Sequence, residues 1–526
     1  MEQDSAVSRL LSCLRTRAAQ PAVVWNGRIF TFEEIGGLSN LYVDRLRALG
    51  IQRGDRVAVF AETCPELIPV FIGHLASGVI HVPINPRYKA DEARHILEDS
   101  GAVAVLTSDA GDAGDDCRRI LDEILDERRP PHLREVISLS SVFPSSPSKN
   151  SSSFSSPKQG FFPEPPSDDD VAMLIYTSGT TGKSKGVALS QRALEENTRA
   201  VMDLWRFTER DRLVLALPLF HVHGLCLGVA GALLTGFTLL LEERFDAARV
   251  VEAFEREGAT AFMGVPTMYV RLLEYLEAHP EGAAALRRAR LFTAGSAPLP
   301  AADFRAFQEK TGHAILERYG MSETLFTLSN PHGGERRPGT VGLPVPGCSV
   351  RHVDDEGHEP PVGELGEIQV KGSGVMNAYW RRPDATAAAF RDGWFLTGDV
   401  ARRDADGYVT IVGRSSIDII KSGGFKISAR EIEDVLRRHP AVRDAAVVGL
   451  PDRVWGQRIA AALVLVEPRD ADAAKRACEE IAAFASSCLA DFKRPRSLRA
   501  VPELPRNALG KVQKHLLVKS FCSDED

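Results

Sequence analysis

The chain has 526 residues, of which 44% are hydrophobic and 26% charged, which is ordinary for a globular protein of two or more domains. Its formal net charge of −7 argues against a nucleic-acid-binding protein, which usually carries a basic patch. The eight cysteines form no CxxC pair and no His/Cys cluster with zinc spacing, which favours reduced thiols in a cytoplasmic protein.

The first third of the chain alternates short apolar runs with helical patterns. Residues 57–60 and 103–107 are predicted as buried strands, and residues 66–75 and 89–100 as helices. This alternation is typical of an α/β fold in which helices cover a largely parallel sheet. Acidic residues precede the first arginine-containing run, which favours an amphipathic first helix over an organelle transit peptide.

Two stretches have unusual composition. The most apolar one, residues 225–241, is interrupted by glycines and falls short of the roughly 20 apolar residues of a bilayer span. It predicts a buried helix, a turn at Gly236 and a buried strand, and no membrane span. Residues 140–167 are rich in Ser and Pro and predict a disordered surface loop, since such a segment cannot bury enough apolar surface to order itself.

The C-terminal tail follows a different pattern from the rest of the chain. Helices are predicted at 429–439 and 471–490, and strands at 445–449 and 461–466. This arrangement indicates a small α+β domain. A turn near residues 404–413 marks the boundary, so we predict an N-terminal domain of residues 1–411 and a C-terminal domain of residues 412–526.

Residues 176–186 read Tyr-Thr-Ser-Gly-Thr-Thr-Gly-Lys-Ser-Lys-Gly. Small residues let backbone N–H groups approach an anion, and hydroxyls and lysines add donors and positive charge, so the pattern predicts a triphosphate cradle. It is not a Walker A loop, because Thr177 stands where that loop needs glycine. Taken alone, a loop of Gly, Ser and Thr is more often a flexible polar hairpin. The predicted ATP-binding residues here are Thr177, Ser178, Gly179, Thr180, Thr181, Gly182, Lys183 and Lys185.

Four further motifs follow in chain order. They are Tyr-Gly-Met-Ser-Glu-Thr at 319–324, Trp-Phe-Leu-Thr-Gly-Asp at 394–399, Gly-Arg at 413–414 with Lys-Ser-Gly-Gly-Phe-Lys-Ile-Ser at 421–428, and Pro-Arg-Asn-Ala-Leu-Gly-Lys at 505–511. Together with the glycine-rich loop they resemble the adenylate-forming superfamily, which includes acyl-CoA synthetases, adenylation domains and luciferases. The resemblance implies a large N-terminal domain of βα-layered sheets and a small, mobile C-terminal α+β domain that carries the catalytic lysine.

The resemblance implies that a carboxylic acid reacts with ATP to give an acyl-adenylate and that the acyl group then passes to coenzyme A. Attaching AMP to the acid gives it a good leaving group. Formation of this acyl-adenylate calls for Mg²⁺, a lysine and backbone donors around the α-phosphate. By resemblance, Lys511 is the catalytic lysine, Ser322 contacts the α-phosphate and Glu323 coordinates Mg²⁺. Asp399 would bind the ribose hydroxyls, and Arg414 would help to fix the ribose and the hinge.

Further site residues follow from the same resemblance. Taken singly, most of these residue types have ordinary structural roles in turns or on surfaces. The predicted adenine-binding residues are Gly295, Ser296, Ala297, Glu317 and Tyr319. The predicted CoA-binding residues are Gly423, Gly424 and Phe425.

Two arginines near the expected acyl pocket suggest which acid is used. The segments 217–224, 295–299 and 312–319 resemble malonyl-CoA synthetases. The resemblance implies that arginines at matching places, here Arg271 and Arg318, bind the distal carboxylate of malonate. A buried guanidinium needs an anionic partner, and it can grip a carboxylate with two hydrogen bonds. The sequence therefore predicts malonate as the acid, with methylmalonate tolerated and His221 lining the pocket. Alternatively, the two arginines pair with structural acids such as Glu274 or Glu317.

Other functions remain open at this point. A ligase for a short-chain or aryl monocarboxylate would share every motif, as would a stand-alone adenylation enzyme that loads a carrier protein. A catalytically inactive binding protein would lack Lys511, Asp399 or Glu323, and all three are present. The expected partners are therefore a small carboxylic acid, ATP and CoA, with no nucleic acid.

Overall fold

The computed structural model describes residues 5–109, 116–143, 166–177, 184–354, 356–414, 418–422, 425–452, 455–467, 470–489, 491–506 and 512–523. The chain forms two compact units: Met1–Val350 with Val370–Phe395, and Arg351–Gln369 with Leu396–Asp526. The division into an N-terminal domain of residues 1–411 and a mobile C-terminal domain of residues 412–526 stays a prediction. Most of the predicted Ser/Pro-rich loop, at 144–165, lies outside the described residues.

The first unit contains a nine-stranded sheet whose central strands run parallel. Three of its inner strands, Thr238–Leu241, Ala261–Gly264 and Leu291–Ala294, are short and buried at every position, as expected where helices cover both faces of a parallel sheet. The edges are antiparallel. In spatial order the strands are Leu343–Pro344, Leu325–Ser329, Leu316–Met321, Leu291–Ala294, Ala261–Gly264, Arg212–Leu215, Thr238–Leu241, Pro21–Trp25 and Arg28–Thr31.

The first unit also contains a seven-stranded sheet, and its parallel part confirms the predicted strands near residues 57–60 and 103–107. One edge is an antiparallel hairpin that flanks the glycine-rich loop. In spatial order the strands are Ala378–Tyr379, Lys185–Ser190, Val171–Thr177, Ile80–Pro83, Arg56–Phe60, Ala104–Thr107 and Glu135–Ser138.

Helices follow most strands of the first unit, as the alternating pattern predicted. The apolar stretch at 225–241 forms buried helices, a left-handed turn at Gly236 with φ of 86°, and a buried strand. Within the described part of the chain, every helix is too short or too polar to cross a bilayer. The helices are Ala6–Leu10, Cys13–Thr16, Phe32–Ala48, Leu67–Ser77, Ala90–Ser100, Cys117–Glu127, Leu139–Val142, Gln191–Leu204, the π-helix His223–Ala230, Gly231–Thr235, Ala247–Arg256, Pro266–Ala278, Gly282–Leu286, Ala301–Thr311 and Pro383–Ala388.

The C-terminal part of the chain has the predicted α+β composition. A five-stranded sheet contains Phe425–Ser428, Ile419–Ser422, Gly456–Leu465, Val442–Asp452 and Ser497–Ala500. Both faces of this sheet are apolar: one packs against helices Ala429–Leu436 and Ala471–Cys488, and the other against helix Lys514–Ser523. A further five-stranded sheet contains Cys348–Val353, Leu365–Gly372, Phe390–Arg391, Trp394–Arg403 and Val409–Arg414. The predicted turn after residue 403 is present, with the Gly407 N–H donating to the Asp404 carbonyl at 3.1 Å.

Three polar side chains form a hydrogen-bonded chain inside the first unit. The Tyr42 hydroxyl lies 2.7 Å from His74 Nε2, and His74 Nδ1 lies 2.9 Å from His81 Nδ1. All three side chains are buried. Burial lowers the pKa of His81 to about 3 and holds that of His74 well below its usual range, with the neighbouring His81 as a smaller cause. Both rings are therefore neutral in the folded protein.

This buried pair predicts loss of stability in mild acid. In the unfolded chain the two histidines take up protons near pH 6.5, whereas in the fold they stay neutral down to about pH 3 for His81. Stability contributed by each ring is therefore complete above pH 6.5 and falls by about 1.4 kcal/mol per pH unit below it. We expect the free energy of unfolding of His81→Phe, measured with urea, to fall below pH 6.5 less steeply than that of the wild type, by about 1.4 kcal/mol per pH unit. The exposed control His279→Gln should keep the wild-type slope, and equal slopes in all three proteins would contradict the prediction.

Candidate active site

The predicted phosphate loop connects the two strands of an antiparallel hairpin. Val171–Thr177 pairs with Lys185–Ser190, and Thr177 stands opposite Lys185 in the register. The loop residues Ser178, Gly179, Thr180, Thr181, Gly182 and Lys183 lie outside the described residues. The Lys185 ammonium lies over the Tyr379 ring, 4.8 Å from its centroid, as a cation–π contact. The hairpin thus fixes both ends of the loop.

Tyr379, which the sequence motifs did not indicate, links Glu323 to this lysine. The Glu323 side chain is 6% exposed, and its Oε1 accepts a hydrogen bond of 3.0 Å from the Tyr379 hydroxyl. Tyr379 therefore contacts both Lys185 and Glu323, and the half-buried Ser322 precedes Glu323 in the same turn. Nothing in the local sequence pattern around Tyr379 marks it as a site residue.

The Glu323 carboxylate suits a magnesium ion that is shared with a substrate. Mg²⁺ in phosphate-transfer enzymes is commonly held by one or two carboxylates together with substrate phosphates and waters. Within the described residues, no three His, Cys, Asp or Glu side chains gather closely enough to hold a metal by themselves. A single buried carboxylate in the same cluster as Lys185 therefore fits a metal–triphosphate complex better than a free metal ion.

The predicted adenine-binding residues come from two neighbouring strands. Glu317 and Tyr319 lie on Leu316–Met321, where Glu317 is buried and its Oε1 accepts a bond of 3.1 Å from the Gly339 N–H. Gly295, Ser296 and Ala297 follow the adjacent strand, Leu291–Ala294. Ser296 is exposed and has a left-handed φ of 69°, which is uncommon for a residue other than glycine. The turn at Ser296 is therefore exposed to solvent and has a strained backbone.

Arg318 occupies the position between Glu317 and Tyr319 and therefore faces the opposite side of the strand. It is only 4% exposed, and its Nη2 donates to Ser296 Oγ at 3.3 Å. Its guanidinium also lies over the Phe326 ring, 4.9 Å from the centroid. Among the described residues no carboxylate forms an ion pair with it, so the alternative pairing with Glu317 is not present. Burial lowers the pKa of Arg318 to about 9.

The turn at Gly295 is shaped around this guanidinium. A Cβ atom at Gly295 would lie 2.5 Å from the Arg318 Cζ, which is closer than atoms can approach. Glycine is therefore required here for Arg318 to occupy its position.

Two histidines lie near the same turn. His223 is buried, and its Nδ1 lies 3.4 Å from Ser296 Oγ. Burial, and then the positive charge of Arg318, hold the pKa of His223 well below its usual range. His221 is half-buried against the Phe220 ring, with centroids 4.3 Å apart, and burial lowers its pKa to about 4. His221 was predicted as a pocket residue, whereas His223 was missed although it lies in the same segment.

The second predicted arginine behaves differently. Arg271 is exposed on helix Pro266–Ala278, and no ion pair joins it to Glu274 among the described residues. The buried residues of this helix face one side at helical spacing, and Arg271 falls on the other side. The prediction that Arg271 is a buried cation is therefore wrong. The argument that a buried guanidinium needs an anionic partner applies to Arg318 only. The buried residues of that face are Pro266, Tyr269, Leu272, Leu273 and Leu276.

The second unit contains the predicted ribose residues. Asp399 is 6% exposed, and its Oδ1 pairs with Arg414 Nε at 3.0 Å across the strands Trp394–Arg403 and Val409–Arg414. The Thr397 hydroxyl accepts a bond of 3.0 Å from the Asp399 N–H, which orients the turn before Asp399.

Four other predicted site residues belong to the second unit. Lys511, Gly423 and Gly424 lie outside the described residues. Phe425 begins the strand Phe425–Ser428 and pairs with Ser422.

Comparison with known proteins identifies the family. The AMP-binding enzyme family matches residues 12–380, and the AMP-binding enzyme C-terminal domain matches residues 431–511. Malonate–CoA ligase of Arabidopsis thaliana is 34% identical over 502 residues, covering 91% of this chain and 80% of that protein. Sulfoacetate–CoA ligase of Cupriavidus necator is 36% identical over 496 residues, covering 93% and 92%.

A solved structure agrees with these relatives. ATP-bound MatB from Rhodopseudomonas palustris has a TM-score of 0.87 and 33% sequence identity, covering 99% of this chain and 100% of that chain. The chain therefore belongs to the AMP-binding enzyme family, in the adenylate-forming superfamily. Within it, the chain is an ATP-dependent, AMP-forming acyl-CoA ligase.

The contact between Tyr379 and Glu323 generates a prediction about nucleotide use. Tyr379→Phe keeps the ring beneath Lys185 but removes the hydroxyl that donates to the carboxylate. A hydrogen bond to a charged group contributes about 1.5–3 kcal/mol, so the KM for ATP in acid-dependent ATP–diphosphate exchange should rise at least about 10-fold. Tyr275→Phe, on the surface helix Pro266–Ala278, is the matched control and should leave it unchanged. An unchanged KM in Tyr379→Phe would contradict this role.

Proposed function

We propose that this protein is a malonate–CoA ligase, which converts malonate, ATP and CoA to malonyl-CoA, AMP and diphosphate and also accepts methylmalonate. The observation that supports this proposal most directly is the buried Arg318 guanidinium, which has no carboxylate partner among the described residues. The family relationship leaves the acid open, since relatives of similar identity are named for malonate and for sulfoacetate.

The physical argument concerns the cost of the buried charge. Removing a guanidinium from water costs several kcal/mol unless an anion compensates for it. Arg318 contacts one hydroxyl and one aromatic face, those of Ser296 and Phe326, and the neutral His223 ring contacts the same Ser296 hydroxyl. A carboxylate on the far end of the substrate would complete this environment. An acid with an apolar tail would leave the charge uncompensated.

The position of Arg318 also connects acid recognition to the reacting end. Ser296 belongs to the turn proposed to bind adenine, and it is exposed, so a ligand in this region can reach it. A short diacid has one carboxylate for Arg318 and one for the α-phosphate. We propose that these two contacts suit a short diacid such as malonate, with His221 lining the pocket.

In the adenylation step we assign the following roles. Residues Thr177–Lys185 and the hairpin beneath them hold the β- and γ-phosphates, and Ser322 contacts the α-phosphate. Glu323 holds Mg²⁺, which neutralises phosphate charge when it is bound. Lys511 contacts the α-phosphate and the attacking carboxylate.

Further roles concern the nucleoside and CoA. Asp399 accepts hydrogen bonds from the ribose hydroxyls, and its ion pair with Arg414 keeps its carboxylate oriented. The adenine contacts are assigned to Gly295, Ser296, Ala297, Glu317 and Tyr319. For the thioester-forming step we assign the CoA contacts to Gly423, Gly424 and Phe425. We also propose that the C-terminal domain moves between the two steps.

The acid preference can be tested with a panel of substrates. Malonate and methylmalonate should give kcat/KM values at least about 100-fold above acetate and butyrate, because only the first two compensate the Arg318 charge. Succinate tests the spacing of the two carboxylates, and sulfoacetate tests whether a sulfonate can replace the distal carboxylate. A preference for butyrate or an aryl acid would replace this proposal with a monocarboxylate ligase. Transfer to a carrier protein in place of CoA would indicate an adenylation enzyme.

A substitution of the arginine separates a ligand role from a structural one. Arg318→Met should lower kcat/KM for malonate by about 100-fold or more, which corresponds to ~3 kcal/mol, while butyrate use stays equal or improves. Its thermal midpoint should not fall, because replacing an unpaired buried charge by an apolar residue of similar size is neutral or stabilising.

Matched variants sharpen this experiment. Gly295→Ala should displace the guanidinium and lower malonate use in the same direction. The exposed Arg288→Met is the control, and Arg271→Met tests directly whether that exposed arginine contributes. Unchanged malonate use in Arg318→Met, or a large loss of stability, would remove the basis of the dicarboxylate proposal.

A further inference from the structure

A largely buried lysine of the second unit has no role in the site described above. Lys514 begins the helix Lys514–Ser523, and its side chain is only 11% exposed. Its ammonium lies 2.7 Å from Asp418 Oδ1 and 2.7 Å from Glu433 Oε1. Burial alone would lower the pKa of Lys514, but Glu433 and Asp418 more than offset this effect and raise it. The lysine is therefore charged and held by two carboxylates.

Each carboxylate is itself fixed by the backbone of another element. Glu433, on helix Ala429–Leu436, also accepts a bond of 2.8 Å from the Val447 N–H, and its Oε2 lies 3.7 Å from Arg437. Asp418 Oδ2 accepts from the Arg414 N–H at 3.0 Å, and the Asp418 N–H donates to the Arg414 carbonyl at 2.8 Å. Lys514 thus joins a helix start to two separate segments.

The approach of Asp418 to Arg414 requires a particular neighbour. Gly413 has a φ of 147°, and a Cβ atom there would lie 2.3 Å from the Asp418 Cβ. No side chain can be accommodated at that distance. The chain is therefore built so that Asp418 lies directly against the strand that ends at Arg414.

The network continues from Arg414 to the proposed ribose residue. Arg414 Nε pairs with Asp399 Oδ1 at 3.0 Å. An unbroken series of charged contacts and backbone hydrogen bonds therefore runs from Asp399 through Arg414 and Asp418 to Lys514, and all of these residues belong to the second unit.

Lys514 also follows closely after the proposed catalytic lysine. Arg506 and Val512, on either side of residues 507–511, form an antiparallel bridge, and the Gln513 N–H donates to the Pro505 carbonyl at 2.7 Å. Arg506 also pairs with Asp444. The chain that leads into and out of this segment is therefore anchored, and Lys514 provides the anchor on its C-terminal side.

We infer that Lys514 is a positioning residue for acyl-adenylate formation, which it supports by fixing the chain after Lys511 to the segment that holds Arg414 and Asp399. This inference rests on the proposed roles of Lys511 and Asp399 and adds a residue to them. A purely structural ion cluster is the competing explanation. Replacing a buried ion pair by an apolar residue often changes stability little, so stability alone does not explain why Lys514 is placed between the buried Glu433 and the half-buried Asp418.

The experiment separates the two half-reactions in the full-length protein. Lys514→Met removes the charge and retains the length of the side chain. With malonate, or the best acid of the substrate panel, ATP–diphosphate exchange should fall at least about 10-fold, whereas thioester formation from CoA and the chemically prepared acyl-adenylate should stay within about 3-fold. Lys514→Arg should restore exchange to within about 3-fold of wild type. Lys519→Met, an exposed lysine on the same helix, should match wild type.

A second variant guards against a failure of Lys514→Met to fold. Asp418→Asn keeps an oxygen for the Arg414 N–H but weakens the pairing with Lys514. It should lower exchange in the same way, and the double variant should lose less than the product of the two separate losses. Parallel loss of both half-reactions together with thermal stability would overturn the inference, as would wild-type exchange in Lys514→Met.

A parallel Lys511→Ala variant distinguishes this inference from the proposed function. If Lys511→Ala loses exchange and Lys514→Met does not, only the positioning inference fails. If Lys511→Ala retains full exchange, the proposed role of Lys511 fails, and the inference fails with it.

Discussion

The Arg318 guanidinium is 4% exposed and has no anionic partner among the described residues. A buried charge of this kind costs free energy, and the neighbouring residues of the first unit accommodate it. The strand Leu316–Met321 directs the side chain away from Glu317, because neighbours on a strand point to opposite faces. Gly295 leaves the space that the guanidinium occupies, and Ser296 adopts a strained backbone conformation to accept one of its hydrogen bonds. Such an arrangement is expected where strain and unpaired charge serve a bound ligand.

The second unit uses buried charge in the opposite way. Lys514 has two carboxylates within 2.7 Å, and each of these accepts a further hydrogen bond from a backbone N–H. Its environment is complete without any ligand. A charge that is satisfied by the fold holds segments in place, whereas a charge that the fold leaves unsatisfied is available to bind a substrate.

Much of this arrangement follows from the sequence. Continuous apolar runs predicted the buried parallel strands near residues 57–60 and 103–107, and the ordered motifs predicted the family and the turn that holds Glu323. The exposed position of Arg271 was also predictable, since the spacing of Tyr269, Leu272 and Leu276 defines the buried face of its helix. The contact of Tyr379 with Glu323 was not, because it joins residues 56 positions apart that share no local pattern. The proximity of His223 to Ser296 depends in the same way on how distant strands pack.

This contrast explains how one family can use many acids with a common chemistry. The residues proposed to recognise the distal carboxylate, Arg318 and its neighbours, belong to the first unit, whereas the network from Asp399 to Lys514 belongs to the second. A substitution at Arg318 changes which anion completes a buried charge, and it leaves the pairing of Asp399 with Arg414 intact. Specificity for the acid can therefore change without loss of the adenylation machinery. The condition is that the distal group of the new acid matches the charge of the side chain beside Ser296.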